Sequence, residues 1–152
     1  MTDKSVFSAA EWHALTDAPL LVTLAIFVTG EHGPISMVKE ATASARAIAR
    51  PGDRGSAGGL IAEIAAEAET KEARHDMKEH QAASADETLQ RALTDLQPAA
   101  TALAKLPADE RAQVGGWLVD IAEAVAGAAK TVNPGEQAAI DKIAKLFIPT
   151  GA

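Results

Sequence analysis

Glu31 and His32 stand side by side in "FVTGEHGPISMVKE", residues 27 to 40, between Gly30 and Gly33. A carboxylate beside an imidazole can ligate a divalent metal of borderline softness. The stretch can also be tested as a calcium loop, which needs an acid at position 1, glycine at position 6 and glutamate at position 12. With Glu40 at position 12 the loop would start at Thr29, which has no charge, and Pro34 would replace the glycine. The calcium pattern therefore fails. The simpler expectation is a helix corner, with Glu31 and His32 in solvent and the two glycines permitting a tight turn.

A second group lies at Glu72-Ala-Arg-His75. Glu-x-x-His is the ligand pair of di-iron bundles, but such a site takes two of these helices and two further glutamates. No second Glu-x-x-His occurs in the chain. His75 with Glu79, or Asp76 with His80, are one helical turn apart and could hold a metal at the surface. Lys71, Arg74 and Lys78 would pair with the same acids on a solvated helix. The metal candidates are thus Glu31, His32, His75, Asp76, Glu79 and His80, each set against an ordinary surface role.

Other patterns carry less. Glu63 and Glu67 are one turn apart opposite an apolar stripe, as expected of a solvated face. No Gly-x-Ser-x-Gly context supports a serine nucleophile. Gly58-Gly59, before the helix at Leu60, could receive an anion, but a flexible link is the plainer expectation. Trp12 and Trp117 are expected to anchor the core. No catalytic residue and no cofactor is expected.

Composition narrows the classes further. The chain has no cysteine, which removes disulfides, thiolate metal sites and cysteine nucleophiles together. The formal charge is −7, with Lys and Arg scattered rather than clustered, so neither nucleic acid nor anionic lipid is an expected partner. Aromatics are 3% of residues and tyrosine is absent, which leaves no stacking platform for bases. Met1 to Ser8 does not read as a signal peptide. The most apolar run, Ala18 to Val28, is too short for a transmembrane segment and should be a buried helix. A cytoplasmic location is expected.

These candidates would be carried by helices. Apolar residues recur at helical spacing throughout, which predicts an all-α bundle of about six to seven helices in a single domain, 1–152. Ser8 and Glu11 form a capping box for a short helix. Asp17 before Ala18-Pro19 suggests a new start, with that helix running to Thr29. Ser36 should cap a helix from Met37 to Arg50, ended by Pro51-Gly52. "PGDRGSAGG", residues 51 to 59, reads as a loop. Leu60, Ile61, Ile64, Ala65 and Ala68 form one stripe, which fades into the polar residues 69–81. Ser84 and Glu87 open a helix with Leu89, Ala92, Leu93 and Leu96 on one face, and Pro98 should end or kink it. Pro107 opens a helix with Val114, Trp117, Leu118, Ile121, Val125 and Ala128 as its apolar face. Asn133-Pro134-Gly135-Glu136 has cap, first-position proline and third-position glutamate, followed by Ile140, Ile143, Ala144 and Phe147.

Two segments resemble each other at an offset of 97: Leu20 to Ala49, and Trp117 to Phe147. Leu21 meets Leu118, Leu24 meets Ile121, Val28 meets Val125, and the caps Ser36 and Asn133 coincide. The expected unit is a helical hairpin used twice, over about 18–50 and 107–148, joined by helices over about 57–80 and 85–105. One hairpin cannot bury its stripe alone, whereas two can bury theirs together.

"AVAGAAKTVNPGEQAAIDKIAKLF", residues 124 to 147, resembles the repeat of the tellurite-resistance TerB-like proteins, a helical family. "EW…L…AP", Glu11-Trp12 to Ala18-Pro19, and "LP…W", Leu106-Pro107 to Trp117, resemble a group of uncharacterised Ala-rich bacterial proteins. Some TerB-like proteins bind divalent metal through corner acids. At the matching positions this chain has His32 and Ala129 for one acid, and Lys39 and Glu136 for the other, so a single carboxylate remains of four. The resemblance thus implies the fold and a stress-response setting, without a metal site. The expected function is a non-enzymatic helical scaffold that binds a protein partner, with homodimerisation as one form of that. The alternatives are a metal-binding stress protein using His32, His75 or His80, and a small-molecule carrier with a pocket between the hairpins.

Overall fold

The computed structural model describes residues 3–29, 34–70, 84–128 and 133–148. Among them are six α-helices and no strand: α1 (Ala9–Phe27), α2 (Pro34–Ala49), α3 (Gly58–Ala68), α4 (Ala85–Leu103), α5 (Ala108–Gly127) and α6 (Pro134–Phe147). Short 3-10 turns occur at Lys4–Val6 and Gly55–Ala57. No described helix is long and apolar enough to cross a membrane.

α1 is the centre of the bundle and touches all five other helices. It starts as expected: Ser8 Oγ accepts from Glu11 N (3.1 Å) and Glu11 Oε1 accepts from Ser8 N (2.8 Å). It does not restart at Asp17. The helix runs on through Pro19, and Asp17 is an interior residue only 4% exposed. An interior proline costs roughly 3 kcal/mol. Leu15 and Ala18 before it, and Leu21, Val22, Ala25 and Ile26 after it, are all almost wholly buried. Each large apolar side chain so buried contributes about 1.5–3 kcal/mol, so continuity of the helix outweighs the local penalty. The reading of Ala18–Val28 as a buried helix holds, because residues 15–26 of α1 are covered nearly all round.

α4 behaves the same way. It runs past Pro98, which is exposed, while Leu96, Ala99, Ala102 and Leu103 continue the buried face against α1. Pro98 therefore does not end the helix. Ser84 Oγ accepts from Glu87 N (3.1 Å), the expected cap. The stripes expected in α3, α5 and α6 are also buried: Leu60, Ile61, Ile64, Ala65 and Ala68, then Val114 to Val125, then Ile140, Ile143 and Phe147.

The second hairpin begins α6 with both bonds of a capping box, Asn133 Oδ1 from Glu136 N (2.7 Å) and Glu136 Oε1 from Asn133 N (3.0 Å). The first hairpin departs from expectation. α2 begins at Pro34, so Ser36 lies inside its first turn and is not the cap. The helices before the corners end at Phe27 and Gly127, and those after begin at Pro34 and Pro134, an offset of 100. Burial follows that register: Ala18, Leu21, Val22, Ala25 and Ile26 correspond to Leu118, Ile121, Ala122, Val125 and Ala126. The expected offset of 97 is one helical turn short. Three residues turn a helix by about 300°, so both registers leave the apolar stripes nearly in phase.

Residues 51–57 are tied down rather than loose. Gly52 and Gly55 take positive φ, 77° and 64°, which turns the chain back onto α5. There Gln113 Oε1 accepts from Ala57 N (2.8 Å), and Arg54 Nη2 meets Asp120 Oδ2 at 2.6 Å. Gly58 and Gly59 form the first turn of α3, so they are not the flexible link expected. Trp117 is buried as expected, and its indole N–H donates to Ala47 O (3.3 Å). In α2 that carbonyl would receive residue 51, but Pro51 has no N–H, so the indole supplies the missing donor. Trp12 is half-buried, against the Phe7 ring at 6.3 Å.

Candidate functional site

Glu31, His32, His75, Asp76, Glu79 and His80 lie outside the described residues, as does Glu72. Among the described residues no group of three or more His, Asp or Glu could hold a metal. The calcium-loop geometry is contradicted directly. Glu40 lies two turns into α2, whereas position 12 of such a loop belongs at the start of the exiting helix. Glu63 and Glu67 are exposed, as a solvated face requires.

The two hairpins meet at their corner ends, where Asn133 Nδ2 donates to Thr29 O (3.3 Å). Two acids near this end are buried: Glu40 at 1% and Glu136 at 2% exposure. Glu136 Oε2 has no hydrogen-bond partner among the described residues. Asp17 and Glu110 are buried too, and His13 Nε2 reaches Asp17 Oδ2 at 3.2 Å. Sequence reasoning missed these as interior charges, because Asp17 reads as a helix cap, Glu136 as part of a helix start and Glu40 as the end of a loop.

Two grooves open among the described residues. One, about 450 Å³, lies between α1 and α4 beside Glu11, Gln97 and Pro98. Glu11 is committed to structure there. Its carboxyl is held below its usual range, first by a hydrogen bond from Lys105 (2.6 Å) and then by the Ser8 backbone.

The other is an apolar groove of about 490 Å³ on the outer side of the first hairpin. α1 contributes Leu20, Thr23 and Phe27, and α2 contributes residues on the face from Ala41 to Ile48. Ala68 and Glu69 close it at the end of α3. The side chains explain why space remains. Ala41 and Ala45 are small and exposed, one turn apart on α2, while Leu20 and Phe27 are only half-buried on α1. At the floor, Thr23 Oγ1 and Ser44 Oγ are 2.8 Å apart and nearly covered. Thr23 also donates to Pro19 O (2.9 Å).

Neither groove takes a residue from α5 or α6. Between the hairpins, α1 meets α5 through side chains that are almost fully buried. The small-molecule alternative places its pocket between the hairpins, and neither of these two grooves lies there. The paired Ala41 and Ala45, followed by Ile48, are the one sequence signal that could have marked the apolar groove.

The chain matches no family model, no curated protein and no solved structure.

Proposed function

We propose that this protein is a non-enzymatic helical binding domain that holds an apolar ligand in the groove between α1, α2 and the end of α3. The groove itself carries the reading. Its volume of about 490 Å³ falls within the roughly 300–1,000 Å³ range of small-molecule sites. Its walls are mostly apolar, with a few polar groups from Thr23, Thr42, Ser44 and Glu69, as such sites have. Chemistry is disfavoured by the same residues. Among the described lining there is no histidine or lysine, the one carboxylate, Glu69, is exposed, and the Thr23 hydroxyl is already engaged. The resemblance to TerB-like repeats supports a helical scaffold and adds no reacting group.

The test is titration with 1-octanol, followed by amide chemical shifts. Shifts should concentrate on residues 20–27, 41–48 and 68–69. Ala45→Trp should abolish them, because the indole fills the groove from an exposed position. Shifts spread over the surface, or unchanged by Ala45→Trp, contradict the reading.

A divalent-metal site at the corner end is the second reading. It is favoured by Glu136 Oε2, a buried carboxylate oxygen without a described donor. Calorimetric titration with Zn, Mn and Ca decides it, and absence of heat ends it.

A further inference from the structure

The groove's polar groups are of one kind. A hydroxyl has one hydrogen to give. Thr23 has Pro19 O within donating reach (2.9 Å) and shares a 2.8 Å contact with Ser44 in which either hydroxyl can donate. Thr42, on the rim, gives its hydrogen to Val38 O (2.8 Å). All three hydroxyl oxygens keep lone pairs to which a ligand can donate. Glu69 adds a carboxylate, the one charged side chain among the described lining residues.

The backbone has the same sign. Glu69 is the C-cap of α3, and Phe27 is the last residue of α1. Both helices thus turn their C-termini, the negative ends of their dipoles, towards the groove. A chain of formal charge −7 adds to this field. The site offers apolar contact, hydroxyl oxygens and one carboxylate, and no described cationic side chain.

We infer that the natural occupant is a small amphipathic cation: an alkyl or aryl-alkyl chain ending in a protonated amine. The chain would lie against Leu20, Phe27 and Ile48, and the ammonium group would donate to Ser44 Oγ and Glu69. A fatty acid would bring a second negative charge to a groove whose described lining holds a carboxylate and no cation, and would be repelled. This rests on the groove being the binding site, and it adds the ligand's charge and donor count.

Three probes of equal chain length test it: octylammonium, 1-octanol and octanoate, titrated by calorimetry at low salt and neutral pH. The expected order of affinity is ammonium, then alcohol, then carboxylate, following the number of hydrogens each can donate. An exposed charge pair is worth up to about a factor of five, so Glu69→Gln should weaken octylammonium roughly two- to five-fold. The same substitution should leave octanol unchanged. Added salt should narrow the gap between ammonium and alcohol. Equal binding of all three, or a preference for octanoate, overturns the inference while the groove reading stands. Binding of none overturns both. A concentration-dependent dimer that Ala45→Trp makes monomeric also overturns it, since the groove would then be a contact between copies.

Discussion

Gly115 and Gly116 are neighbours in α5, and alanine at each should have opposite effects. Alanine in a helix interior is favoured over glycine by about 0.8–1 kcal/mol, and both positions should gain that amount. They differ in what the new methyl group meets. At Gly116 its nearest contact is Arg54 Nη1 at 3.7 Å, an ordinary van der Waals distance to a flexible side chain. At Gly115 it would overlap the Phe147 carbonyl oxygen and sit 3.1 Å from the carbonyl carbon. That neighbour is backbone at the end of α6, and the Phe147 ring is 2% exposed, so it cannot yield without disturbing the core. Overpacking of this kind costs about 1–3 kcal/mol. Net of the propensity gain, Gly115→Ala should destabilise by up to about 2 kcal/mol, whereas Gly116→Ala should stabilise by up to about 1 kcal/mol. For a chain of this size 1 kcal/mol moves Tm by about 2–4 °C. Tm should therefore fall by up to about 8 °C for the first variant and rise by up to about 4 °C for the second. Thermal and urea unfolding followed by circular dichroism measure both. Changes of the same sign would refute the close approach of α5 to α6.

Three further substitutions probe other joints. Trp117→Phe keeps most of the buried ring but removes the donor to Ala47 O (3.3 Å), and the urea midpoint should fall by an amount equivalent to about 1–2 kcal/mol. Asn133→Ala removes the α6 cap and the bond to Thr29 O, and should cost about 1–2 kcal/mol in the same assay. Glu11→Gln tests the Lys105 contact by pH. Because the folded-state pKa of Glu11 is lowered, the pair adds stability above the unfolded glutamate value of about 4.3. That stability is lost as pH falls through the lower folded value. The wild-type advantage over Glu11→Gln should thus be present at neutral pH and vanish in acid.

Much of the bundle was legible because periodic stripes and caps report local physics. Leu60 to Ala68 and Val114 to Val125 were read correctly from spacing alone, and Asn133 to Glu136 from the chemistry of helix starts. The errors come where tertiary burial overrides a local rule. Pro19 and Pro98 looked like helix boundaries, yet each lies within a helix whose buried face continues on both sides. Ser36 looked like a cap because it precedes the helical pattern at Met37, and that cap favoured an alignment of the hairpins one turn out, a shift that apolar periodicity hardly distinguishes. The groove was the least legible feature. It is a gap between three helices, and Ala41, Ala45 and the hydroxyl of Ser44 acquire meaning only when α1 and α3 are set beside α2.

The central claim is that the groove of the first hairpin binds an apolar cation. A crystal structure of the protein with octylammonium tests this most directly. An alkyl chain is expected between Phe27 and Ile48, with its nitrogen within hydrogen-bond reach of Ser44 Oγ or the Glu69 carboxylate. A chain bound elsewhere, or one in the groove with its nitrogen turned away from both oxygens, would contradict it.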